Sequence, residues 1–181
     1  MDEKKLREYS LRAYECAKNH GFYDQLQSSV HERMMIVCEV AEAVSADRKG
    51  HHADVGGFLS SDRSKGAFER YIKDSFEDEL ADIFLRYCSA WFHMTTEPID
   101  YIVVAQAKRL DYMPWILKES FPEHAYDMCQ LMYFDDSFWI KDLFLFYLFR
   151  WVYAKDIHLD WFIEQKMKYN ESRPVRNGKR Y

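Results

Sequence analysis

The chain is poor in residues that interrupt helices. Its 181 residues include only 6 glycines and 4 prolines, which favours a few long helices over many short strands. No strand run and no internal repeat is visible. No C-x-x-C pair occurs among Cys16, Cys38, Cys88 and Cys129. Each of these lies in an expected helix, so a zinc framework is excluded and buried, reduced thiols are expected. The longest apolar run, Leu143–Phe149, is bounded by Asp142 and Arg150 and is far too short to cross a bilayer. The opening MDEKKLREYS lacks the apolar stretch of a signal peptide, so a cytoplasmic location with no membrane partner is expected. Excess positive charge is missing as well. The net charge is −5, which argues against a broad nucleic-acid-binding surface and leaves only a basic cluster in the terminal tail.

What is present reads as one all-α domain over residues 1–181. Hydrophobic residues make up 48%, charged residues 30% and aromatics 17%, a globular composition with ample core. Apolar spacing predicts helices at about 3–19, 28–48, 67–94, 99–118, 123–133, 135–153 and 159–169. Gly21 and Gly50 are the expected stops of the first two. Ser29 with Glu32 has capping-box spacing, and Met34, Val37, Cys38, Ala41 and Val44 form the expected buried stripe of the second helix. Residues 51–66, rich in Gly, Ser and His, read as a mobile loop. Pro98 is placed in the first turn of the helix that follows Thr95.

Two acidic pairs stand out. Glu39 and Glu42, and Glu79 and Asp82, are each three apart and share a helix face. Glu32 extends the first stripe, and Arg86 follows the second by one turn. If the two helices pack side by side, four carboxylates converge. Such a cluster becomes tolerable around a cation, and oxygen-only ligands suit Mg²⁺, with Mn²⁺ as a substitute. Acids at this spacing are also common on solvated faces, so pattern alone leaves both readings open. A di-iron centre would want Glu-x-x-His on two helices, and His is absent at those positions. His51 and His52 lack a third ligand nearby and read as exposed loop residues.

The segments EVAEAVSADRKG (Glu39–Gly50) and EDELADIFLR (Glu77–Arg86) resemble the MazG-like branch of the all-α NTP pyrophosphatases, whose pattern is E-x-x-E on one helix and E-x-x-D on the next. AKNHGFYD (Ala17–Asp24) is similar to the stretch preceding that motif. KMKYNESRPVRNGKRY (Lys166–Tyr181) is similar to the K-x-x-x-N-x-x-R-P tail of small members, with Lys166, Asn170, Arg173, Gly178 and Lys179 in order. The likeness covers residues 17–90 and 157–181. It departs in a long spacer between Ala43 and Asp78 and in a helical insertion at about 95–156.

The resemblance implies a MazG-like helical bundle that hydrolyses a nucleoside triphosphate to the monophosphate and pyrophosphate. Glu39, Glu42, Glu79 and Asp82 would be both its catalytic and its Mg²⁺-binding residues. Lys166, Arg173 and Lys179 would meet phosphates, with Lys49 added from its helix position, and Asn170 would meet sugar or base. The aromatic stripe over Trp115–Trp161 is expected to be core or subunit interface, and its size leads to the expectation of a homodimer or homotetramer. Two other readings compete: a non-catalytic helical interaction module using the 95–156 insertion, and a hydrolase of modified or non-nucleoside pyrophosphates sharing the same site.

Overall fold

A computed structural model of the chain describes residues 1–25, 27–96, 99–133 and 138–174, with the side chains of 138–142 left aside. The described residues are all-helical, with no strand. The first helix, α1 (Glu3–Asn19), starts where the Asp2 carboxylate accepts the Lys5 N–H at 2.8 Å. It stops before Gly21, whose φ of +76° is the left-handed conformation expected there. Next comes α2 (Ser29–Arg48), capped by Ser28 accepting from the His31 N–H. The capping-box expectation on Ser29 and Glu32 is therefore one residue out.

The expected stripe of α2 is also corrected. Its buried face carries Ile36, Val40, Ala43 and Ala46 together with Glu32 and Glu39. Met34 and Ala41 are exposed, and Val37, Cys38 and Val44 are only half-buried. The helix is apolar on two sides, so composition could not choose which one turns inward. The inward side is the one that carries the acids.

The stretch 51–66 is structured rather than a featureless loop. It contains α3 (Val55–Ser60), capped by Asp54 through the Gly57 N–H at 2.8 Å. Phe58 anchors it, buried edge-on against Phe68 and Trp161. The helix expected at 67–94 is two helices, α4 (Lys65–Tyr71) and α5 (Phe76–Thr95). Asp74, at φ +61°, turns the corner between them, and Ser75 caps α5 through the Asp78 N–H. The apolar period runs through this corner, which is why sequence spacing missed it.

The helix expected at 99–118 is shorter: α6 (Tyr101–Ala107) is followed by a single 3₁₀ turn at Pro114–Ile116. Asp100 caps α6, and the Pro98 expectation lies outside the described residues. Then come α7 (Phe121–Leu131), opened by a reciprocal Ser120–Glu123 capping box, α8 (Phe138–Ala154) and α9 (Leu159–Glu171). The expected start of α8 at Asp135 also lies outside the described residues.

Two groups of helices result. α1, α2 and α9 pack on α5, while α6 and α7 pack on α8, with α7 also touching α2. The middle of α5 is the hub, with Leu80, Ala81, Ile83, Phe84 and Ala90 fully buried. Phe84 meets Phe149 of α8 edge-on, ring centroids 5.9 Å apart, and joins the two groups. The aromatic stripe is mostly core: Phe144, Leu145, Leu148 and Phe149 are buried within the single chain. Trp115, Tyr126 and Tyr133 remain exposed. No described helix is long and apolar enough to cross a membrane. Cys88 is buried, and all four cysteines are free thiols.

Candidate metal centre

α2 and α5 lie side by side, so their acids face each other. Ligand oxygens of Glu39, Glu42 and Glu79 all come within 4.8 Å of one another. Glu39 and Glu79 are buried and Glu42 is exposed. These acids and Asp82 line a cavity of about 370 Å³. α1 contributes Ala13, Cys16 and Ala17 to its wall, the turn after α1 adds His20 and Phe22, α9 adds Lys166 and Asn170, and Arg173 follows just past the end of α9. The spacing of four puts Lys166 and Asn170 on one helix face, and both line the cavity.

Two cations are set among the acids. Arg86 donates from Nε and one Nη to the same Glu39 oxygen, at 3.2 and 3.1 Å, and lies over the Phe22 ring. Lys166 Nζ lies 2.7 Å from Asp78 and 2.6 Å from Asp82. The acids outnumber these partners. Glu79 is only 4% exposed, and its Oε2 is buried with no hydrogen-bond partner. Burial, reinforced by Asp82, pushes the Glu79 carboxyl up to about 8. Burial raises Glu39 too, with Asp82 adding to the rise and Arg86 opposing it. Asp78 is pushed up to about 6 by burial, against the pull of Lys166. Burial works against the Lys166 ammonium, but Asp82 and Asp78 outweigh it and its pKa is raised.

A hard divalent cation fits this donor set. The ligands are all carboxylate oxygens close to one another, and Glu79 carries a buried oxygen that lacks any partner. A proton held on Glu79 would leave as the ion bound.

The sequence-derived site residues divide into three groups. Glu39, Glu42, Glu79, Asp82, Lys166, Asn170 and Arg173 are brought to one cavity. Lys49 is not: it caps the C-terminus of α2, is exposed, and does not line the cavity. Its seven-residue offset from Glu42 carries it beyond the helix, where the chain turns away at Gly50. Lys179 lies outside the described residues. Lys166 lines the cavity with its ammonium paired to Asp78 and Asp82. His51 donates from Nδ1 to the Asp74 carbonyl at 2.9 Å, and His52 pairs with Glu77 at 2.8 Å. Both are exposed and neither belongs to the acidic group.

Two participants were missed. Asp78 is fully buried beneath the cavity, and its spacing of four from Asp82 was the available signal. Ser89 lines the cavity and is hydrogen-bonded to the Tyr23 hydroxyl. It continues the 79, 82, 86 stripe by one more step. No family model, curated protein or solved structure matches the chain.

Proposed function

We propose that the chain is a Mg²⁺-dependent nucleoside triphosphate pyrophosphohydrolase of the MazG-like kind. The observation that carries this reading is the convergence of Glu39, Glu42 and Glu79, the last with a buried unpartnered oxygen, in a cavity also lined by Asn170 of α9 and by Arg173. The sequence resemblance supplies the reaction.

Glu39, Glu42 and Glu79 would hold the ion. When bound, it supplies charge neutralisation along the phosphate chain and polarises the phosphate oxygens as a Lewis acid. The chain's own groups do the rest. Arg86 holds one Glu39 oxygen by two N–H donors and so fixes where its second oxygen points. The Arg173 guanidinium, packed over the Tyr169 ring at 5.5 Å, offers a planar fork to phosphate oxygens. The Asn170 Oδ1 is buried without a partner and can accept from a sugar hydroxyl or a base N–H. Phe22 and the small residues Ala13 and Ala17 give the cavity an apolar wall for a base. In the reaction a water oxygen bonds to the α-phosphorus, the α-phosphorus–oxygen bond to the β-phosphate breaks, pyrophosphate leaves with that oxygen, and a cavity carboxylate takes the water's proton. Positioning and charge neutralisation carry most of the rate.

The competing reading, a helical interaction module, draws on the exposed aromatics Trp115, Tyr126 and Tyr133 of the insertion. One assay separates the two. Ribo- and deoxyribonucleoside triphosphates are incubated with the chain and Mg²⁺, with pyrophosphate and orthophosphate scored separately and Glu39→Gln run alongside. Pyrophosphate release that disappears in the variant is expected. Orthophosphate alone would mean cleavage at the γ position and would reject the mechanism. Release of neither product would favour the interaction module or a modified substrate.

A further inference from the structure

The acidic centre is built asymmetrically. Glu39, Glu42 and Glu79 bring ligand oxygens together within 4.8 Å, and Asp82 is outside that group although it lines the same cavity. The Asp82 Oδ2 is instead paired with Lys166 at 2.6 Å. Lys166 cannot readily let go. Its side chain is 5% exposed and that of Asp78 is 1% exposed, and they are paired at 2.7 Å. Moving the ammonium away would strand a buried carboxylate, one of the costlier things a protein interior can hold. Asp78 is itself fixed, because the same oxygen accepts the Asp74 N–H at 3.0 Å from the corner between α4 and α5.

We infer that the Lys166 ammonium is the site's resident second cation, holding Asp82 and Asp78 in place of a second metal ion, so that the centre takes one divalent ion, at Glu39, Glu42 and Glu79. This inference deepens the metal reading proposed above and rests on it. It departs from the expectation that all four motif acids ligate metal. A second divalent ion at Asp82 would have to enter beside a fixed positive charge, and Coulomb repulsion at that distance opposes it. Lys166 also gives the second charge a structural use. One ammonium ties α9 to both turns of α5 that carry acids, and so sets Asn170, one turn further along α9, against the cavity that Glu39 and Glu79 line.

The test counts ions and locates them, without nucleotide and without measuring turnover. Metal-free full-length chain is titrated with Mn²⁺, and free ion is followed by electron paramagnetic resonance. Crystals soaked in Mn²⁺ are then read by anomalous scattering. One Mn²⁺ per chain is expected, bounded by Glu39, Glu42 and Glu79, with Lys166 still bridging Asp78 and Asp82. In the same titration Glu79→Gln should weaken Mn²⁺ binding by about tenfold or more, as loss of a ligand or its close support does. Two ions per chain, or one ion ligated by Asp82 with Lys166 displaced, would overturn the inference. If pyrophosphate release stood in the assay above, that outcome would leave the proposed activity intact. No Mn²⁺ binding at all would overturn this inference and the metal reading together. The wild-type count decides even if a variant fails to fold.

Discussion

Two buried cations show how differently the halves of this molecule are built. Lys166, in the α1–α2–α5–α9 half, is held by two carboxylates. Arg150, in the α6–α7–α8 half, is 1% exposed and is hydrogen-bonded to backbone carbonyls instead, Arg109 O at 2.6 Å and Ala107 O at 3.5 Å. It also lies over the Phe146 ring. Arg150 therefore closes the open end of α6, satisfying carbonyls that the last turn leaves free, among packed rings. Lys166 offsets part of an excess of acid that no folding requirement explains. Around Arg150 the chain spends its residues on packing. Around Lys166 it accepts buried, partly unpaired carboxylates beside a cavity, which is the arrangement of a site.

The sharpest way to break the comparison is to remove a ligand. Glu39→Gln is expected to lower pyrophosphate release by about a hundredfold or more, on the scale of losing one oriented electrostatic group, while the chain stays folded by circular dichroism. Retained turnover would erase the functional distinction between the halves.

Next come two losses of stability that differ in their side effects. Lys166→Met leaves Asp78 and Asp82 without their cation and should cost about 3–5 kcal/mol in urea unfolding. Phe149→Ala, which empties a fully buried ring position in α8, should cost a similar 3–5 kcal/mol yet leave turnover per folded molecule unchanged. Equal loss of turnover in both would mean that the halves act as one unit.

Arg150→Met strands only carbonyls, so its expected cost is smaller, about 1–2 kcal/mol. A larger loss than that of Lys166→Met would reverse the comparison.

The last prediction is a pH dependence confined to the acid half. The Glu79 carboxyl is raised from an ordinary 4.5 to about 8, chiefly by burial. The unfolded chain therefore ionises first, and stability present below pH 4.5 is lost as pH rises towards 8. Asp78, raised to about 6, adds a loss of the same sign over a lower window. In metal-free protein the melting temperature should fall over this range, and Glu79→Gln should flatten part of that fall. Mg²⁺ should remove more of it, since the bound ion favours the ionised carboxylate. A flat profile in metal-free wild type would show that Glu79 is not isolated from water.

Much of this was legible without coordinates, and the misses share a cause. Helical class followed from the scarcity of breakers, and the Gly21 and Gly50 stops followed from conformational freedom that other residues lack. The faces carrying Glu39 with Glu42 and Glu79 with Asp82 followed from helix period alone, whereas Lys166, Asn170 and Arg173 were picked out by the family resemblance. Period did not say which side of α2 turns inward, because both sides are apolar. Nor did it reveal the corner at Asp74, where the apolar spacing continues across a change of direction.

The sequence by itself determined that the chain is helical, where its first two helices stop, and that Glu39 with Glu42 and Glu79 with Asp82 travel together on a face, because those depend on neighbours three and four positions away. Only the tertiary structure decided that Lys166 would pair with Asp78 and Asp82, that Lys49 would lie outside the cavity lining, and that Phe144 and Phe149 of α8 would be buried within the chain. Those outcomes depend on residues 40 to 90 positions apart being pressed together, and on burial, which makes an unpaired charge seek whichever partner the packing brings within reach.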